Sequence, residues 1–79
     1  MVAHGKLIQK LRNQTLTKVE LTTFLHQLGF ARFGGKGSHE VWGRNDLPDV
    51  HIVIATHVKE VPRYQLRQIE KSLSKRGLL

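Results

Sequence analysis

Gly34-Gly35-Lys36-Gly37-Ser38-His39-Glu40-Val41-Trp42 is the stretch on which the reading of this chain turns. Three glycines in its first four positions give a backbone free to adopt conformations closed to other residues and to come very close to a ligand. Lys36 sits inside that loop, and Ser38 and His39 stand at its exit. From His39 onward the chain alternates, His39 and Val41 against Glu40 and Trp42, which is the period-two mark of a strand. Phe30-Ala31-Arg32-Phe33 just upstream also reads as a short strand, so the loop predicts a hairpin between Phe30–Phe33 and Ser38–Gly43. His39 is then offered on a rigid strand end beside a pliant cationic loop. That arrangement suits chemistry on a phosphate better than it suits packing.

Downstream, Arg44-Asn45-Asp46-Leu47-Pro48-Asp49 is turn chemistry. Val50-His51-Ile52-Val53-Ile54-Ala55 is rich in β-branched residues and reads as a third strand, the central or best-buried one. Thr56–Val61 is a polar connection, and Pro62 suits the first position of a helix, where its missing N–H costs nothing. Leu66, Ile69 and Leu73 give that helix a core face, while Arg63, Arg67, Lys71, Lys75 and Arg76 crowd its other sides until Gly77 stops it. Upstream, Thr17-Lys18-Val19-Glu20 has the spacing of a capping box. It opens a helix whose apolar stripe is Leu21, Phe24, Leu25 and Leu28, ended by Gly29 in the left-handed conformation. His26 falls off that stripe and reads as solvated. Leu7, Ile8 and Leu11 mark a shorter first helix over Gly5–Arg12, closed by the polar Asn13-Gln14-Thr15.

The order helix, helix, strand, strand, strand, helix predicts an α+β fold, a three-stranded antiparallel sheet with helices on one face. With no repeat, linker or low-complexity tract, residues 1–79 read as a single domain with one modest core, burying roughly 60% of the unfolded chain's surface. Thirteen Lys and Arg against six Asp and Glu give a net charge of +7 and a pI near 10.4. So strong a field on so small a domain favours a polyanionic partner such as nucleic acid over a merely solvated surface. The absence of cysteine excludes a disulfide scaffold and a thiolate metal site and fits a reducing cytoplasm. No apolar run approaches the ~18 residues a membrane span needs, so a soluble, cytoplasmic chain is expected. Asp46, Asp49 and His51 invite a metal reading, but three such groups in one turn-strand segment with no fourth partner match no metal motif. No metal or other cofactor is expected.

Leu28-Gly29-Phe30, then Gly35-Lys36-Gly37-Ser38-His39, then Leu66-Arg67-Gln68-Ile69 resemble the HicA toxin family of messenger-RNA interferases. The shared pattern is a helix ending in Gly-Phe, a basic residue before Gly-Ser-His on the second strand, and a closing basic helix. It covers about Lys6 to Leu78, and the helix at Gly5–Arg12 makes this a longer variant with an extra N-terminal helix. The resemblance implies a double-stranded-RNA-binding-like fold, metal-independent endoribonuclease activity on messenger RNA, and neutralisation by an acidic HicB-like antitoxin. It carries the family's catalytic histidine onto His39. Two departures stand out. Glu40 follows Gly-Ser-His, where a carboxylate beside the imidazole would raise its pKa or repel RNA. Ile54-Ala55-Thr56-His57 replaces the Val-Pro-x-His of many relatives, keeping the histidine without the proline.

The residues suit such chemistry on their own terms. RNA carries its own nucleophile in the 2′-hydroxyl, so cleavage needs a base, an acid for the leaving 5′-oxygen, and cations for the phosphorane charge. His39 is the candidate catalyst, since imidazole serves as base or acid near neutrality. Lys36 would hold the scissile phosphate, with Gly37 and its neighbours offering amide N–H groups as an anion-binding nest. Ser38 either donates a hydrogen bond or shapes the turn. His57 is the possible second acid or base, or an ordinary loop histidine. Arg32, Arg44, Lys59, Arg63 and Arg67 are candidate phosphate contacts, each singly also readable as a solvated charge. Phe33 reads as core, and Trp42 as either core or a stacking surface for a base. The same basic surface would serve a module that grips duplex RNA by shape and never cuts it. His39 in its glycine loop is what separates the two.

Overall fold

The computed structural model describes residues 4–79, along which the chain runs α1 (His4–Arg12), α2 (Lys18–Gln27), β1 (Ala31–Gly34), β2 (His39–Arg44), β3 (Leu47–Ala55) and α3 (Arg63–Lys75). The order is the expected one, and the strands form one antiparallel sheet in the order β1-β2-β3. The capping box closes as its spacing predicts. The Glu20 N–H donates to Thr17 Oγ1 at 3.3 Å, and the Thr17 N–H donates back to Glu20 Oε1 at 3.1 Å. Lys10 adds an ion pair to the same carboxylate, and its hydrogen bond, ahead of the Thr17 amide, holds the Glu20 carboxyl below its ordinary pKa. At the other end of α2, Gly29 takes φ +87°, the left-handed turn that sends the chain into β1.

The third strand differs from its sequence expectation twice. It is an edge strand, and β2 is the central one. Its β-branched run signals burial on one face only: Val50, Ile52 and Ile54 are buried while Asp49, His51 and Val53 are exposed. It also begins at Leu47, three residues early, because the turn is only Asn45-Asp46 and Arg44 pairs with Leu47. Pro48 is accommodated because the register slips between Trp42 and Arg44, placing the proline in a bulge of an edge strand, where a missing N–H is tolerated. Pro62 likewise sits one position earlier than expected, as the N-cap of α3 rather than its first helical residue.

One core joins the two layers. Trp42, Val50, Ile52 and Ile54 from the sheet meet Leu21, Phe24 and Leu25 of α2 and Leu66, Ile69 and Leu73 of α3. Leu7 and Leu11 of α1 are fully buried, and α1 lies against both other helices. Leu16, just before the capping box, and Val61, from the connection that read as polar, are buried too. Phe33 corrects its expectation. The pairing of Arg32 with Trp42 puts Phe33 on the sheet's open face, where it stays 62% exposed. There its ring lies 5.3 Å from that of His51 and so close over Gly43 that a Cβ at Gly43 would stand 2.7 Å from it. Trp42 points the other way, 5% exposed, with His26 edge-on at 4.9 Å.

Candidate functional site

Everything that presents His39 is set by the glycine loop. Gly35 has φ +113°, and a Cβ there would fall 2.2 Å from the His39 carbonyl oxygen and 2.9 Å from Glu40 Cα. Only glycine fits so close an approach. Gly37, at φ +58°, has open space around it. The His39 N–H donates to the Lys36 carbonyl at 3.2 Å, closing a tight turn over Gly37 and Ser38. His39 emerges exposed, with its Nδ1 3.2 Å from Ser38 Oγ. Behind it the Thr56 N–H donates to the Ser38 carbonyl at 2.7 Å, which ties the segment bearing the exposed His57 to the same end of the sheet.

Glu40 does not face the imidazole. Alternation along β2 turns it toward the helices, where it is 6% exposed. The Lys18 ammonium stands 2.6 Å from its Oε2 and also donates to the Thr56 carbonyl at 2.8 Å, while the Trp42 indole N–H donates to Oε1 at 3.1 Å. The Lys18 hydrogen bond outweighs burial and, with Trp42, holds the Glu40 carboxyl below its ordinary pKa, so it remains ionised. The feared carboxylate beside His39 is instead the buried clasp joining β2, α2 and the chain after β3.

The candidate cations separate into groups. Lys36 lies in the loop, the Lys59 carbonyl accepts from the Lys18 N–H at 3.0 Å, and Arg63 opens α3, so these three share the His39 end of the sheet. Arg67 follows one turn along α3 and is exposed. Among the described residues none of these four makes an ion pair. Arg32 lies on the helix-facing side of the sheet, 4.0 Å from Glu40, and so is divided from His39 by the sheet itself. Arg44 is five residues along β2 from His39, about 17 Å away. There it forks onto Asp46 at 2.9 and 2.7 Å and lies 5.9 Å from the Phe30 ring. Asp49 pairs with Arg76, so Asp46, Asp49 and His51 do not converge, each engaged with a different neighbour. Among the described residues there is no group of three His, Asp or Glu that could hold a metal ion.

One feature went unread in the sequence: a groove of about 470 Å³ along the outer edge of β3. His39, His51, Val53 and Ala55 line its strand side. Tyr64, Gln65, Gln68 and Ser72 line its helix side, and Gln65 donates through Nε2 to the Val53 carbonyl. The available signal was the uncharged face Gln65, Gln68, Ser72 at helical spacing on a helix otherwise crowded with cations.

Comparison with known proteins gives a match to the family model described as HicA toxin of bacterial toxin-antitoxin, over residues 20–74. That is well over half of the 79-residue chain, narrower than the Lys6 to Leu78 of the motif resemblance, and it leaves out α1. No curated protein and no solved structure matches the chain.

Proposed function

The chain belongs to the HicA toxin family of bacterial toxin-antitoxin systems, and from that premise we propose that it is a slow, metal-independent endoribonuclease that cuts messenger RNA in the cytoplasm. The observation that carries the proposal is the exposed His39, offered by a glycine turn at the end of the sheet where the unpaired cations gather. With Nδ1 engaged by the Ser38 hydroxyl, Nε2 is the nitrogen left to exchange a proton. Nε2 takes the proton of the 2′-hydroxyl as that oxygen bonds to phosphorus, and the P–O5′ bond breaks. The leaving oxygen takes a proton from a second acid, for which the exposed His57 is the candidate. The products are a 2′,3′-cyclic phosphate and a 5′-hydroxyl. Lys36 and the loop amides balance the phosphorane charge. Lys59, Arg63 and Arg67 hold flanking phosphates.

The antitoxin, in this reading, is an acidic HicB-like protein that covers the His39 end. The test is cleavage of a purified message in the presence of a chelator. The parent should yield fragments with 5′-hydroxyl ends, and His39→Ala should yield none while keeping its circular-dichroism spectrum. A His39→Ala protein that cuts as fast as the parent removes His39 from the reaction. A parent that binds RNA and leaves it whole points to the non-cutting duplex-binding module.

A further inference from the structure

We infer that the groove along the outer edge of β3 seats the base of one unpaired nucleotide next to the phosphate cut at His39, an inference that rests on the ribonuclease reading. His39 is itself part of the lining, so whatever occupies the groove lies beside the reacting bond. At about 470 Å³ the groove falls within the ~300–1,000 Å³ range of small-molecule sites. It is bounded by β3 and α3, with Ile52 and Ile69 beneath.

Charge selects the occupant. α3 carries Arg63, Arg67, Lys71 and Lys75, yet no lysine or arginine lines the groove. The lining holds no lysine, arginine or carboxylate and mixes apolar with polar side chains, and the unpaired cations stand outside it. A nucleotide has the same partition, with a neutral planar base and a charged backbone. Gln68 and Ser72 are exposed, and their side chains make no hydrogen bond among the described residues, so an amide donor, an amide acceptor and a hydroxyl are free for a base edge. Tyr64, 66% exposed at the rim, offers an aromatic face. An added peptide strand fits less well, because Gln65 already occupies the Val53 carbonyl that such a strand would pair with. The base must be unpaired, since a base held in a duplex could not enter. The substrate is therefore single-stranded at the cut.

The test uses the full-length protein and fluorescent 2′-O-methyl oligonucleotides, which lack the nucleophile and stay whole. Homopolymers of each base and an abasic chain of equal length are titrated by anisotropy. The parent should bind its preferred homopolymer about 10-fold more tightly than the abasic chain, the scale of a good amide–base pair. Gln68→Ala/Ser72→Ala should bind the four homopolymers within about twofold of one another, and Tyr64→Ala should weaken every homopolymer alike. Equal binding of abasic and base-bearing chains by the parent overturns the inference. So does a double variant that keeps the base preference, including one that keeps it and escapes the cognate antitoxin, which assigns the groove to a protein segment. The catalytic reading fails separately: a parent that discriminates bases but cuts no message keeps the base site and loses the nuclease.

Discussion

The two ends of the sheet are built to opposite electrostatic rules. At the turn joining β2 to β3, Arg44 is forked onto Asp46 and Arg76 is paired with Asp49, so the charges cancel locally. At the other end Lys36, Lys59 and Arg63 make no ion pair among the described residues, since Glu40 is turned inward onto Lys18 and the exposed Glu60, next to Lys59, pairs with none of them. The net charge of +7 is thus not spread evenly. It is in excess where His39 emerges, with Lys36, Lys59 and Arg63 against the single exposed Glu60. Pairing closes a surface and leaves it inert, whereas unpaired cations over a strand end make a field that a polyanion can lower.

The contrast breaks most sharply at the histidine. His39→Ala should cut the rate of RNA cleavage by ~100- to 10,000-fold without lowering Tm, while Arg44→Ala at the closed end should leave cleavage within about twofold. A comparable loss of activity in both variants would mean that the ends are not functionally distinct.

Removing the inward clasp comes next. Lys18→Met leaves Glu40 buried with only Arg32 and Trp42 for company and should cost about 3 kcal/mol, read as a fall in Tm of more than ~10 °C. The associated pH dependence has a definite sign. Glu20 and Glu40 are both held below their ordinary values in the folded chain. Their contribution is therefore complete above about pH 4.3, where unfolded glutamates are ionised, and is lost as pH falls below this through the folded values. Acid titration of Glu40→Gln by circular dichroism should show a flatter loss of stability below about pH 4 than the parent.

The glycines sharpen the comparison within the loop. Gly35→Ala must displace the His39 carbonyl and should cost about 2–3 kcal/mol together with most of the activity. Gly37→Ala meets nothing and should cost only about 1 kcal/mol for its positive φ. Urea melts of the pair give the difference directly. The smallest effects belong to single cations: Lys36→Ala, Lys59→Ala and Arg63→Ala should each reduce the slope of log affinity for RNA against log salt by about 1. Arg76→Ala, already paired at the other end, should not.

Local rules carried the sequence reading where local rules decide the structure. The Thr17–Glu20 box, the left-handed Gly29 and the Leu66, Ile69, Leu73 stripe depend on residues within two turns of each other, and they stand where their spacing puts them. The failures are tertiary. Nothing in Val50–Ala55 says whether a second strand will pair on its outer side, so the edge read as a centre. Pro48-Asp49 has the composition of a turn, and only the bulge opposite Gly43 makes room for it in a strand. Phe33 is apolar, but its face was fixed by the partner of Arg32 and not by its own chemistry. His39 was legible because a glycine-rich turn announces itself in one dimension. The β3 groove was not, since its strand wall and its helix wall lie nine or more residues apart in the chain and meet only through packing.

The stretch shared with relatives and the stretch needed to fold are not of equal extent here. The family match starts at residue 20, but Leu7 and Leu11 are sealed against both α2 and α3. A fragment cut at the family boundary would therefore bare an oily seam between two helices and lose the lysine that pins Glu20. The leading helix is a structural stave of this protein: anything that loosens it, whether a truncation, a bulky fusion or a protease, acts on the toxin's fold before it reaches the toxin's chemistry.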